Sequence, residues 1–536
     1  MRRDLPTERH FASARARLVL AYEAGAAPFS LPHNPPPPPP PSLSARTRAR
    51  WRRGPMRRRR GARGCRRVVP VPWEGPRHGP ALGEETPTME HDSLARRHAA
   101  MREAARAGLI GPEAPVAGFI DVTGVREAAR ELRAAFAGPA PVLHTFAVKA
   151  ASLVPVLELL NEEGVGCEVA SPGELELARA AGVPASRVVF DSPAKTVAEL
   201  RDALAHGIAV NADNPQELAR IDALVAEAPT GAPLGIRVNP QVGTGSIGAM
   251  STATATSKFG VALRDPGAED WLVRQYAERP WLTRLHTHTG SQGVPLELMA
   301  ESVRIVYGLA ERVNREVGRR QVDTIDIGGG LPVNFEGEEI TPRFADYAKL
   351  LRETVPGLFD GRYTLVTEFG RSLLAKQGFV AGLVEYTKTS GGRRIAVTHA
   401  GAQVATRTVF VPDSWPLRVA AFAPDGTLKE SPDLVQDVAG PCCFAGDLVA
   451  RGRTLPELSP GDLVALWDTG AYYFSTHFAY NSLPRPAVHG FWTDDKGRTR
   501  FAPIRRAQSL TELLAESGAA ESGALKGAGE PALVRR

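Results

Sequence analysis

At 536 residues the chain can bury the cores of two or three domains. Its 43% apolar and 23% charged residues are the balance of a soluble globular protein, and no apolar run is long enough to span a bilayer, so no membrane partner is expected. The net charge of +6 is localised: residues 1–70 hold 17 Arg, no Lys and 3 acids, a net +14 that leaves the rest at −8, which argues against nucleic acid as a partner of the folded part.

Four cysteines, Cys65, Cys167, Cys442 and Cys443, are too few and too irregularly spaced for a disulfide framework or a zinc ribbon. With no signal-peptide apolar core near Met1, they point to the reducing cytoplasm. Residues 1–88 read as a disordered Arg/Pro-rich extension. They contain an unbroken proline run over 35–41, a polyproline II spacer, and the basic cluster Arg57-Arg58-Arg59-Arg60 with Arg66-Arg67. By charge this cluster suits RNA or anionic lipid, but a poorly folding tail is the better reading, and Met89 or, after it, Met56 is an alternative start. No catalytic role is assigned to it.

Globular sequence begins near Leu94. A helical stretch leads to a strand over 115–121 and an amphipathic helix over 125–136. Short apolar strands then end near Lys149, Ala170, Phe190, Asn211, Val238, Thr287, Ile327 and Glu368, with helical segments over 153–163, 172–181, 196–206, 215–228, 295–317 and 343–354. Strand followed by helix, taken eight times, predicts a TIM-like (β/α)8 barrel over 115–378; an open doubly wound sheet is the alternative. Past residue 380 the rhythm changes. Strands over 379–388, 394–398, 417–422, 435–439, 463–467 and 488–491, without long helices between them, predict a mostly β domain over 379–505. Residues 506–536 read as a short helix over 510–515 and a flexible tail.

Lys149 closes the apolar strand Phe146-Ala147-Val148. It either reaches water past the strand end or is an amine that forms a Schiff base with an aldehyde cofactor. The residues at the other strand ends favour the second reading, because barrel enzymes place functional groups there. Gly328-Gly329-Gly330 could bring backbone N–H groups close to a phosphate, helped by Ser291 and Arg371. His286 and His288 share one strand face; by residue type they could bind a metal, but no carboxylate or cysteine set accompanies them, so no metal is expected and a ring covering a flat cofactor fits as well. Lysine, phosphate cradle and acid together spell pyridoxal phosphate. Glu368 as the acid at the pyridine nitrogen would keep the ring cationic and stabilise a carbanion, whereas an arginine there would suit racemisation.

The chain resembles the barrel-type, alanine racemase-like pyridoxal phosphate-dependent decarboxylases of ornithine, arginine and diaminopimelate, most of all the diaminopimelate branch, from Phe119 to Pro486. The shared motifs are Phe146-Ala147-Val148-Lys149-Ala150, Ser171-Pro172-Gly173-Glu174-Leu175, Arg237-Val238-Asn239-Pro240, Ser257-Lys258-Phe259-Gly260, His286-Thr287-His288-Thr289-Gly290-Ser291-Gln292, Ile325-Asp326-Ile327-Gly328-Gly329-Gly330-Leu331, Glu368-Phe369-Gly370-Arg371-Ser372-Leu373, Gly440-Pro441-Cys442-Cys443-Phe444-Ala445-Gly446-Asp447, and Gly470-Ala471-Tyr472 through Tyr480-Asn481-Ser482. The resemblance implies that Lys149 holds the cofactor and that Glu168, where the family usually has Asp, sits beside it. It implies that His288 stacks on the ring and Glu368 pairs with the ring nitrogen. Ser291, Gly328, Gly329, Gly330, Gly370, Arg371 and Tyr472 would bind the phosphate end, with Arg237 also cofactor-binding. Cys443 would be the thiol that protonates the product, reaching in from the partner subunit of a homodimer with shared sites, and Cys442 a bystander.

Three departures concern the substrate end, where the resemblance places Arg371, Arg407, Phe444 and Tyr472. Phe444 stands where the family has an acid for the distal amino group; losing that charge-assisted bond costs roughly 1.5–3 kcal/mol. Arg407 is retained for a distal carboxylate, but Val411 replaces the tyrosine that accompanies it, and Phe369 replaces a proline. The expectation is an amino acid decarboxylase with a diverged specificity shell. A racemase or epimerase, and an inactive paralogue that binds a true decarboxylase, are the alternatives.

Overall fold

The computed structural model describes residues 89–526, so the expectations for 1–88 and for 527–536 lie outside the described residues. The helix Met89–Arg106 leads to β1 (Val116–Asp121) and the helix Val122–Ala135. The next strands are β2 (Val142–Ala147), β3 (Gly166–Val169), β4 (Val188–Phe190), β5 (Ala209–Ala212), β6 (Leu234–Asn239), the two-residue β7 (Val261–Ala262), β8 (Leu282–His286), β9 (Thr324–Asp326) and β10 (Thr364–Phe369). They form one parallel sheet in the order β5-β4-β3-β2-β10-β9-β8-β6-β7, and β6 also returns to pair with β5. That pairing closes an eight-stranded barrel and excludes the open sheet.

The connecting helices begin where their sequences cap them. Ser171 Oγ accepts the Glu174 N–H at 3.1 Å while Glu174 accepts the Ala170 N–H at 2.7 Å, with Pro172 in the first turn of the helix Pro172–Ala180. This motif therefore starts a helix. Thr196 and Glu199 form the same reciprocal box ahead of Val197–Ala205. A helix not expected from sequence, Ala268–Glu278, joins β7 to β8.

The second sheet is built from β11 (Gly378–Ser390), β12 (Arg393–Thr398), β13 (Val419–Phe422), β14 (Asp433–Ala439), β15 (Leu448–Pro456), β16 (Leu463–Leu466), β17 (Ala487–Thr493) and β18 (Thr499–Arg505). It also takes in β1, which corrects the assignment of 115–121 to the barrel: β1 runs antiparallel to β11 and parallel to β17. The reason is apolar matching across the sheet, where Phe119 stacks on Phe379 with ring centroids 5.0 Å apart. β15 and β18, absent from the sequence expectation, are both edge strands. Each pairs with a single neighbour, and Gly452 and Pro503 are tolerated in such strands. The helix Ala402–Phe410, also unexpected, links the two halves of this domain. No helix among the described residues is long and apolar enough to cross a membrane.

Phe369 proves to be a core residue and not part of the specificity shell. It is fully buried, with Phe344, Phe136 and Tyr347 rings at 5.2, 6.1 and 6.3 Å. Phe369→Ala should cost about 3–5 kcal/mol in urea unfolding, and Phe369→Leu distinctly less.

Candidate active site

Lys149 lies in the single turn Val148–Ala150 that follows β2. Its Nζ donates to Glu168 Oε2 on β3 at 2.5 Å. The lysine side chain is 44% accessible while Glu168 is 2% accessible, so the lysine keeps open space beside it and the acid is packed away. Burial disfavours the ammonium most, but Glu168, then Tyr472 and Glu368, outweigh it and raise Lys149 above the usual lysine range. Burial raises Glu168 while the Lys149 ammonium lowers it, and the acid is already in contact as an acceptor for the lysine proton.

The turn that carries Lys149 is held by the second domain. The Tyr472 N–H donates to Ala150 O at 2.6 Å and Ser475 Oγ donates to Lys149 O at 2.8 Å. Tyr472 adopts φ 71°, a conformation that bulky residues seldom hold without a reason in the site. Gly370 packs against the same turn, where an added Cβ would lie 3.1 Å from Ala147 Cβ.

At one end of the site are cations without acids. Arg371 and Arg407 share two rings: Arg371 lies 4.5 Å from both Trp415 and Tyr472, and Arg407 lies 5.2 and 4.3 Å from them. Arg371 Nε, Arg407 Nη1 and Ser372 Oγ are buried without hydrogen-bond partners. Burial pushes Arg371 down to about 10. Buried donors left unpaired are costly, and an anion satisfies them. The Gly328-Gly329-Gly330 loop lies close by, and its glycines are required by close backbone packing. A Cβ on Gly329 would lie 2.1 Å from Glu368 O, and one on Gly330 would lie 2.0 Å from Gly290 O, next to Ser291.

At the other end are acids. Glu368, on β10, is buried with Oε1 unpartnered, and burial, then Asp326, Asp191 and Glu168, raise it well above the usual carboxylate range. His286 lies 3.7 Å from it and His288 3.8 Å. The Gly329 N–H donates to His288 Nδ1 at 3.1 Å, and burial keeps His288 neutral, so its remaining proton is on Nε2. Asp191, His286, Asp326 and Glu368 present atoms within 4.8 Å of one another. Motif spacing shows no carboxylates accompanying the histidines because these acids arrive from separate strands. The signal for them was position, since each is polar at or just past the C-terminal end of a barrel strand. Arg284, 3.3 Å from Asp326, supplies a positive charge to this cluster.

The remaining expected residues fall elsewhere. Arg237 is buried at the end of β6 with its guanidinium 4.3 Å from the Phe259 ring. Cys442 is buried, its thiol pushed up to about 11 by burial, whereas Cys443 is exposed and its N–H donates to Asn481 Oδ1 at 2.7 Å. Phe444 stacks on Phe410 at 5.5 Å and meets Tyr480 edge-on at 5.4 Å.

The site thus runs from unpaired guanidiniums through an amine to buried acids. That polarity fits pyridoxal phosphate, whose phosphate, aldehyde and ring nitrogen come in the same order. Residues 122–375 match the pyridoxal-dependent decarboxylase pyridoxal-binding domain, and residues 376–470 match the pyridoxal-dependent decarboxylase C-terminal sheet domain. The chain belongs to the pyridoxal-dependent decarboxylases. Diaminopimelate decarboxylase of Pseudomonas fluorescens is 37% identical over 383 residues, 70% of this chain and 86% of that protein. The enzyme of that name from Methanothermobacter thermautotrophicus is 32% identical over 408 residues, 74% and 92% respectively. Among solved structures, diaminopimelate decarboxylase from Helicobacter pylori in complex with L-lysine aligns with TM-score 0.65 and 27% identity over 76% of this chain and 97% of that one. This decarboxylase therefore uses pyridoxal phosphate and removes carbon dioxide from an amino acid.

Gly329→Ala should weaken pyridoxal phosphate binding at least about tenfold in an absorbance titration, because the methyl meets backbone that cannot yield. Gly173→Ala, at an exposed helix start with only Ser171 Oγ nearby, should bind as the wild type does.

Proposed function

We propose that this decarboxylase acts on an amino acid whose far end carries an acidic group and no ammonium, within a homodimer whose partner subunit supplies Cys443. The observation that carries this reading is that Arg407 lies over Tyr472 with no acid beside it, while Phe444, which would enter the site with Cys443 from the partner subunit, offers a ring packed on Phe410 and Tyr480 and no acid. Lys149 is the residue that holds the cofactor aldehyde, and Glu168 takes the proton that Lys149 must shed to react. Arg371, with the Ser291 and Gly328–330 loops, receives the phosphate. Glu368 pairs with the ring nitrogen. His288 covers the ring face, and its neutrality avoids placing a second cation against a cationic ring. Arg237 flanks the cofactor from β6. When bound, pyridoxal phosphate supplies an aldehyde that captures the substrate amine and a cationic ring that takes up the electron pair released as carbon dioxide leaves.

Substrate selection falls to the helix Ala402–Phe410 and the stretch of chain beyond it. Arg407 projects over Tyr472 while Phe410, one turn on, stacks with Phe444. A distal ammonium at that place would exchange water for phenyl rings and lose a charge-assisted hydrogen bond. The Helicobacter pylori relative was solved with L-lysine, which carries such an ammonium; this chain should discriminate against it.

Dimerisation is supported by the surface around Cys443. Phe410, Val411 and Tyr480 are 54%, 49% and 37% exposed, a cluster of large apolar side chains that a partner would cover. Cys167, Cys442 and Cys443 are all unpaired, which suits a reducing cytoplasm.

A carbon dioxide release screen should favour amino acids with a distal acid over meso-diaminopimelate and L-lysine, and Phe444→Glu should shift preference toward diaminopimelate by about ten- to a hundredfold. Preference for diaminopimelate in the wild type would refute the substrate reading. Subunits carrying Lys149→Ala and Cys443→Ala, each inactive alone, should regain activity when co-expressed, because a mixed dimer rebuilds one intact site. No recovery despite mixed dimers would refute the shared site.

A further inference from the structure

Four buried groups meet beneath Lys149, and one of them is already satisfied. Asp326 has the Arg284 guanidinium at 3.3 Å and accepts the Gly328 N–H at 3.0 Å. The other three form a line. His286 Nδ1 is 3.5 Å from Asp191 Oδ2, and His286 Nε2 is 3.7 Å from Glu368 Oε2. All three are at most 6% exposed, and both imidazole nitrogens are buried without a hydrogen-bond partner, with these two acids the groups that face them.

Burial pushes His286 down to about 3, with Arg237, Arg284 and Lys195 countering the pull of Asp191, so the imidazole is neutral. A neutral imidazole has one N–H and one lone pair. It can donate to one of the two acids and must accept from the other. Asp191 is the better anion: it accepts from Asn211 Nδ2 at 3.2 Å, and a hydrogen bond from Glu368, with the nearby Lys195 and Arg237, holds it below the usual carboxylate range against the cost of burial. Glu368 instead faces Asp326, Asp191 and Glu168. The hydrogen therefore lies on Nδ1 toward Asp191, and a protonated Glu368 has Nε2 and Asp191 to donate to. Burial raises Asp326 as well, to about 7, but its two oxygens are engaged by Arg284 and the Gly328 N–H. His288 Nδ1 is taken by the Gly329 N–H, and Glu168 is paired with Lys149.

We propose that Asp191 and His286 are positioning residues that hold a proton on Glu368 Oε2 for delivery to the ring nitrogen of pyridoxal phosphate. The proposal rests on the reading of Glu368 as the acid at that nitrogen. In the transfer the Glu368 O–H bond breaks and a ring N–H bond forms. Glu368 becomes a carboxylate, the ring becomes a cation, and the net charge of the site is unchanged. No proton is drawn from solvent. The Asp191 charge stays behind His286 and favours the cationic ring.

Calorimetric titration of the apoenzyme with pyridoxal phosphate, in buffers of different ionisation enthalpy, counts the protons taken up. Asp191→Asn frees Glu368 to ionise in the apoenzyme, so binding should take up about one more proton than in the wild type at neutral pH. Its affinity relative to wild type should then fall about tenfold per pH unit as pH rises. Asp191→Glu should restore the wild-type count, and His286→Gln, whose amide can donate to both acids, should reproduce the extra proton if Asp191→Asn fails to fold. The ring 15N resonance of labelled cofactor should lose its N–H at lower pH in Asp191→Asn than in the wild type. Unchanged proton counts and 15N titrations in both variants, with Glu368→Gln altering the 15N signal, would overturn the relay alone. No change in Glu368→Gln either would overturn the reading of Glu368.

Discussion

The separation of unpaired guanidiniums from a cluster of buried carboxyls, with one amine between them, is the constraint on which the site depends. Charges in a low-dielectric interior are expensive unless matched. Here the acids Glu168, Asp191, Asp326 and Glu368 gather at one side, where Lys149 pairs with Glu168, Arg284 with Asp326, and His286 lies between Asp191 and Glu368. Arg371 and Arg407 are kept apart from them against Trp415 and Tyr472. An arrangement of this kind is held open by the scaffold and relieved by a ligand with an anionic end and a basic end. The barrel supplies the first requirement by bringing eight strand ends to one mouth, and the glycine loops supply the close backbone approach that packs those ends together.

Much of this was legible because it was local. The strand that ends at Lys149, the helical segments over 172–181 and 196–206, and the alternation that implies a barrel each depend on residues near one another in sequence. What was not legible depends on distance along the chain. β1 lies directly before the barrel helices, yet it pairs with β11 and β17, and no local pattern announces which sheet a buried strand will join. Edge strands such as β18 carry Pro503 and look like breaks until their single pairing is known. Asp191, His286 and Asp326 converge from different strands, so motif spacing could not reveal their cluster. Phe369 shows the opposite limit: a departure within a chemical motif whose side chain turned into the core.

The chemistry and the selectivity of the site are carried by different parts of the fold. The barrel holds the amine and the acids, while the second domain brings Arg407, Tyr472, Phe444 and Cys443 on loops and a short helix. Of the second set only Tyr472 acts on the charge at Lys149; the Lys149–Glu168 contact and the acid cluster lie wholly within the barrel. That division explains how a chain can keep Lys149, Glu368 and the glycine loop while replacing the polar groups that meet the far end of a substrate. The Tyr472 N–H and Ser475 Oγ bonds to the Lys149 turn are where the two parts are joined.

Borohydride reduction of the protein with pyridoxal phosphate, followed by peptide mass mapping, tests the central claim most directly, because it fixes the cofactor wherever the reactive amine is. The account predicts a single pyridoxyl adduct, on Lys149. An adduct on another lysine, such as the buried Lys195 or Lys376, or none at all, would contradict it.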